Sequence, residues 1–216
     1  MVLETREAGW RLQAILRPRR FFLLIELVRL YKSLVLSYIE SGTAAYYHAA
    51  HSVLRPVDRV QERLLRECGL TDIEALERFK LAPLPSRRDM AMLGLLHRVV
   101  LGQAPPQLRE LFPFAVLTPA RSNYQTRLLS TVRRHNKQLL ERPGHTDVFS
   151  RSLFGLVSSY NLLPQHIVDT GDISKFQHVL QQGLLRAAKE GLDDWQHVLA
   201  GHVIRRQVAF QRLFEE

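Results

Sequence analysis

The sequence predicts an all-α fold, an irregular helical bundle interrupted by one long basic loop or linker. Three observations carry this. Apolar residues recur at helical spacing over most of the chain, and prolines, glycines and capping residues stand at the joints between those runs. The composition also suffices for a core: 46% of the 216 residues are hydrophobic. A chain of this length hides roughly 70% of its unfolded surface.

Residues 3–16 form the first helix, ended by Pro18. Residues 21–50 form a long second one, with Leu23, Leu27, Leu30, Leu34 and Tyr38 in register and a weak point at Gly42. Pro56 suits the first turn of a third helix that runs through Cys68 and stops at Gly69. Thr71 and Glu74 have capping-box spacing for a short fourth helix. Lys80–Ser86 is a connector with Pro83 and Pro85. Ser86 and Asp89 then repeat the capping spacing ahead of Met90, Leu93, Leu96, His97 and Val100, and Gly102 with Pro105–Pro106 closes that helix.

From Phe112 to His145 the periodicity dissolves into a stretch holding Pro113, Pro119, Pro143 and Gly144 with Arg121, Arg127, Arg133, Arg134 and Lys137. Helix, strand and loop all remain open for Gln125–Leu140, and a minor β element has room near residues 115–150. So long a stretch without an element reads as a linker or functional loop. Helical spacing returns in Phe149–Leu163, Ile173–Leu185 and an amphipathic finish, Leu192–Phe214. The expected organisation is a helical domain over 1–112, a linker over 113–147 and a C-terminal helical segment over 148–216.

Lys and Arg number 30 against 21 Asp and Glu, a net charge of +9 that points to a polyanionic partner, nucleic acid or an acidic membrane surface. One cysteine, Cys68, excludes an internal disulfide. The apolar stretch Phe21–Ile39 contains Glu26, Arg29 and Lys32, which argues against membrane insertion, and their mixed sign weakens a reading as a membrane-surface helix. No secretory leader is legible at the N-terminus, and the expectation is an intracellular protein, nuclear or cytoplasmic.

The clearest binding feature is the third helix. Arg55, Arg59, Arg63 and Arg66 fall within an arc of about 80° at 100° per residue. Val57, Val60, Leu64 and Cys68 lie opposite. This is a basic stripe on a packed helix, with guanidinium forks suited to phosphates. The competing reading is a solvated face partly neutralised by Asp58 and Glu62. Arg87 and Arg88, opening the next long helix, extend the candidate phosphate-binding set.

Signals for chemistry are lacking. The pairs His48/His51 and His197/His202 have no accompanying Cys or carboxylate that completes a metal set. Asp193–Asp194 reads as a helix N-terminus rather than a magnesium pair. No phosphate-cradling glycine loop, nucleophile elbow or cofactor motif is present, so the expectation is no catalytic centre, no cofactor and no small-molecule substrate.

Three ordered segments nevertheless form a pattern. Arg6–Leu70 carries a Leu-Tyr-Lys-Ser motif (Tyr31, Lys32), a Tyr-Ile-Glu segment (Ile39, Glu40) and an Asp-x-x-Gln-x-x-x-Leu-Arg helix (Asp58, Gln61, Leu65, Arg66). Residues 81–113 carry a Pro-x-x-x-Arg-Arg connector (Pro83, Arg87, Arg88) before a Leu-Leu-x-x-x-x-Leu-Gly helix. Residues 148–184 carry Arg151–Ser152, then Tyr160, Asn161, Leu163 and Pro164, then Phe176. Together they resemble the region downstream of the palm in reverse transcriptases of non-LTR (LINE-like) retrotransposons. Tyr160 stands where the family often has Trp, and the Cys/His knuckle that closes some relatives has no counterpart here. The family's catalytic aspartates lie in the palm, to which nothing in this chain corresponds, so the resemblance carries over no catalytic residue. It implies a thumb-like and post-thumb piece of an RNA-directed DNA polymerase, beginning at an internal or adventitious Met1. It also implies nucleic-acid backbone as the partner, alongside the rest of such a polymerase. The other reading is a helical protein-interaction module whose arginines meet an acidic protein.

Overall fold

The computed structural model describes residues 2–115, 135–144, 146–200 and 213–214. Its architecture is all-α, as the periodicity predicts, and the described residues contain no strand or sheet. The minor β element reduces, among them, to one antiparallel bridge between Phe114 and Leu139. Arg121, Arg127, Arg133 and Arg134 and most of the final predicted helix lie outside the described residues.

Helix α1 (Val2–Leu16) buries Ala8, Leu12, Ile15 and Leu16. A 3-10 turn at Arg19–Phe21 leads into α2 (Leu24–Tyr31), so the second helix starts three residues later than expected. Glu26 accepts the Leu23 N–H at 2.8 Å, satisfying a donor at that end. A π turn, Lys32–Leu36, joins α2 to α3 (Ser37–Ser41), with the Ser37 N–H reaching the Lys32 carbonyl. The chain breaks at Gly42, the weak point foreseen, and a short α4 (Thr43–Tyr46) follows.

Helix α5 (His51–Cys68) begins one turn earlier than Pro56 indicated, so that proline sits in the second turn. Gly69 ends it with φ +63, and the Gly69 and Leu70 N–H groups return to the Arg66 and Leu65 carbonyls. Helix α6 (Asp72–Phe79) has the expected capping box, with the Glu74 N–H to Thr71 Oγ1 at 3.2 Å and the Thr71 N–H to Glu74 Oε2 at 2.8 Å.

Helix α7 (Leu84–Val100) starts after Pro83, ahead of the predicted Ser86 cap. Ser86 is buried and donates to the Gln196 carbonyl at 2.6 Å, while Asp89 accepts from the Tyr47 hydroxyl at 2.7 Å. Both side chains that imitate a cap are spent on tertiary contacts. Helix α8 (Pro106–Leu111) follows Gly102, whose φ is +72.

The element expected at Phe149–Leu163 is two helices, α9 (Asp147–Ser150) and α10 (Leu156–Asn161). Gly155 makes the bend: a Cβ there would stand 2.2 Å from the Ser150 carbonyl oxygen. Helix α11 (Gln165–Val168) follows Pro164, and α12 (Ile173–Lys189) is capped by Asp172. Asp193–Asp194 precedes a 3-10 turn, Trp195–His197, instead of a long helix, and Asp194 has φ +55.

Two apolar cores result. One gathers α1, α2, α3 and α5 with Ala75, Leu81 and Leu84. The other gathers Leu76 and the inner face of α7 with α10, α11 and α12, closed by Leu139, Leu213 and Phe214. Helix α1 packs along α5, and α7 along α12. No helix among the described residues is long and apolar enough to cross a membrane.

Candidate nucleic-acid interface

Helix α5 divides as its pattern requires. Leu54, Val57, Val60, Leu64 and Leu65 are buried, while Arg55, Arg59 and Arg66 are exposed and Arg63 is half-buried. Cys68, expected on the apolar side, is half-buried. Arg55 pairs with Glu62 at 2.5 Å, both side chains 45% exposed, a pair that solvent screens and an anion displaces at little cost. Arg63 donates to Gln13 Oε1 on α1 at 2.5 Å. The Arg59 and Arg66 side chains form no hydrogen bond or ion pair among the described residues. The four arginines therefore form one outward surface, with Arg63 at its α1 edge.

The other two candidates are placed differently. Arg87 binds Glu40 at 2.5 Å and is about three-quarters buried. Arg88 is buried and grips Asp58 with both arms of its guanidinium, at 2.6 and 3.2 Å. Phosphate contact by Arg88 requires dismantling that pair, so Arg88 leaves the candidate set. Asp58 likewise leaves the solvated face and provides no surface neutralisation.

A broader rule covers these two residues. Several polar side chains of the three sequence motifs are ties of the interior. Gln61 receives the Tyr31 hydroxyl at 3.3 Å and donates to the Ala82 carbonyl at 3.0 Å. Lys32 reaches the Phe79 carbonyl. Asn161 donates to the Leu139 carbonyl at 2.8 Å and accepts the Leu139 N–H at 2.9 Å, so its amide acts as a neighbouring strand for the segment after residue 134. The Tyr160 hydroxyl meets His97 Nδ1 at 2.9 Å, and His97 Nε2 meets the Thr170 carbonyl at 2.7 Å. Because a carbonyl only accepts, Nε2 carries the proton and Nδ1 accepts from Tyr160. The ring stacks on Phe176 at 4.0 Å. Burial lowers the His97 pKa and holds the imidazole neutral.

One hollow of about 420 Å³ is lined by Tyr47, His51, Asp89, Ser150, Arg151 and His197, among others. Sequence reasoning missed it because its walls come from distant segments. Burial pushes the Asp89 carboxyl up to about 7, against the opposing effects of the Tyr47 hydrogen bond and Arg88. The Arg151 Nε is buried without a hydrogen-bond partner. His51 and His197 meet edge-on at 6.3 Å. Ser150 Oγ donates to the Thr146 carbonyl at 3.3 Å and is not directed at either ring, so no nucleophile–base pair is assembled. Among the described residues no group of three or more His, Cys, Asp or Glu side chains could hold a metal ion.

The site thus consists of a basic helix face outside and a network of paired charges inside. No family model, no curated protein and no solved structure matches this chain.

Proposed function

We propose that this chain is a non-catalytic, thumb-like part of a retroelement reverse transcriptase that holds the nucleic-acid backbone without reading its sequence. The exposed stripe Arg55, Arg59, Arg63 and Arg66 on α5 is the observation that carries this reading. The motif resemblance and the net charge of +9 support it. Template and primer are then recognised by shape and phosphate position, and the polymerase chemistry belongs to a palm outside this chain.

Binding of a primed RNA across a salt series tests the proposal. Four phosphate contacts give a slope of log K against log salt of about −3 to −4. Replacing Arg59 and Arg66 by Glu lowers affinity at least tenfold and reduces that slope by about 2, with the unfolding midpoint unchanged. Affinity indifferent to salt sinks the proposal, and extension of the primer by this chain with magnesium and nucleotides sinks its non-catalytic part.

A second reading, a protein-interaction module, draws on a different observation. Phe21, Phe22 and Leu23 are consecutive and 73%, 40% and 68% exposed. A partner protein, the remainder of a polymerase included, would cover them. Retention of a discrete protein with no binding to RNA favours this second reading.

A further inference from the structure

Helix α1 presents a stripe of its own. Arg6, Trp10 and Gln13, with Arg17 just past the helix end and its N–H still on the Gln13 carbonyl, follow at offsets of 0, 4, 7 and 11, an arc of about 60° at 100° per residue. Trp10 is 60% exposed, an unusual state for a tryptophan in the middle of a well-packed helix. Gln13 of this stripe meets Arg63 of the α5 stripe, and Arg19 meets Glu67 at 2.9 Å. The α1 stripe therefore adjoins the α5 stripe at Gln13, and the turn after α1 adjoins α5 one helical turn further on. The two stripes meet at the Gln13–Arg63 contact, with Trp10 one turn away on α1 and Arg6 over its ring.

The other flank of Trp10 borders an open hollow of about 470 Å³, lined by Arg6, Glu7, Trp10, Arg11 and Tyr38. Two guanidinium groups already lie over aromatic rings here, Arg6 over Trp10 at 4.7 Å and Arg11 over Tyr38 at 4.2 Å. Arg11 is held by Glu7 at 3.0 Å and by the Leu34 carbonyl at 3.3 Å. The acidic groups around the face are already engaged: Glu7 with Arg11, Glu62 with Arg55 and Glu67 with Arg19. What stays open is the flank of the indole beside the hollow, next to cations that no carboxylate answers.

We propose that Trp10 is a stacking platform for an unpaired nucleobase, so that α1 and α5 together hold a single-stranded segment, its base against the indole and its phosphates against Arg17, Arg59 and Arg63. The assignment rests on the nucleic-acid reading above and narrows it to single strand at this end of the face. Charge alone fits any polyanion; the exposed indole with Arg6 on it selects one that carries planar rings. A duplex keeps its bases stacked internally and gains nothing from Trp10.

Two probes test this, a fluorophore-labelled single-stranded oligoadenylate and a blunt RNA duplex. Trp10→Ala weakens binding of the single strand about tenfold and leaves duplex affinity within about twofold, while Trp10→Phe restores most of the single-strand affinity. Tryptophan emission of the unmodified chain is quenched by the single strand, and the quenching is lost in Trp10→Phe. Equal quenching by polyglutamate, which has charge but no bases, overturns the proposal in favour of an acidic polypeptide. Single-strand affinity unchanged in Trp10→Ala overturns the stacking site and leaves the arginine stripe standing. Binding of neither probe by the unmodified chain overturns both.

Discussion

The two cores are built on different plans. The N-terminal one is made by α1, the jointed α2–α3 rod and α5, long elements whose inner faces are apolar and whose outer faces bear the arginines. The C-terminal one is made by α7 and α12 around the short α10 and α11, and its interior contains His97, Tyr160, Ser159 and Asn161. A long amphipathic helix gains enough from one buried stripe to tolerate a charged exterior. Helices of four to six residues do not, and they are held by side chains that replace missing backbone partners. Polar ties across the join, Arg88 to Asp58 and Gln61 to Ala82, make each plan depend on the other.

The sharpest way to break this arrangement is at the join. Arg88→Met leaves the Asp58 carboxylate buried and unpaired, and urea denaturation is expected to show a loss of about 3–5 kcal/mol. The double variant Arg88→Met/Asp58→Leu recovers most of that loss, because removing both charges removes the desolvation cost with them. A single variant as stable as the parent would contradict the buried pair.

The C-terminal plan is tested at Asn161. Its replacement by Ala orphans the Leu139 N–H and carbonyl, and a cost of about 2–3 kcal/mol is expected. Hydrogen exchange at the Leu139 amide should accelerate more than exchange in α5. Equal acceleration in both regions would mean that the segment after residue 134 is not held by this side chain.

The pH response distinguishes the two regions by sign. Asp89 is raised to about 7 by burial, so its protonated form favours the fold at low pH, and that contribution fades as pH climbs from about 4 to 7. His97 and His135 are lowered by burial, so the folded state resists their protonation and loses stability as pH falls below about 6.5. The slopes oppose one another. Asp89→Asn keeps an acceptor for Tyr47 and removes one of them, so its stability rises more steeply between pH 4 and 7 than the parent's. Thermal melts of the parent and the variant across that range compare the two slopes. Parallel curves would refute the assignment.

The smallest expected effect lies at Gly69→Ala. A Cβ there meets nothing within 4 Å, so only the positive φ opposes it, and the cost is about 1 kcal/mol.

Legibility followed the same division. The Thr71–Glu74 box, the Gly69 stop and the basic face of α5 could be read directly, because local spacing decides them. Asp58 could not be placed by polarity, yet it lies in register with Leu54, Val57, Leu64 and Leu65 on the inner stripe of α5. That register was the available signal. Ser86 and Asp89 resembled a cap because a cap and a tertiary tie use the same side chains at the same spacing. The bend at Gly155 was hidden inside an unbroken run of helical periodicity, since it depends on contact with the Ser150 carbonyl. The 420 Å³ hollow left no local trace at all.

The π turn at Lys32–Leu36 has a consequence for tolerance to length change. It accommodates one residue more than an α-helical turn, with no loop to absorb it. Deleting one residue between 32 and 36 would restore a regular α-helical turn and leave everything beyond it in nearly the same phase, whereas the same deletion in an α-helical stretch rotates the rest by about 100°. Ile39 would keep its place in the core and Glu40 its place at Arg87. The π turn is therefore the one stretch between Tyr31 and Ile39 where the rod can lose a residue and still reach both contacts.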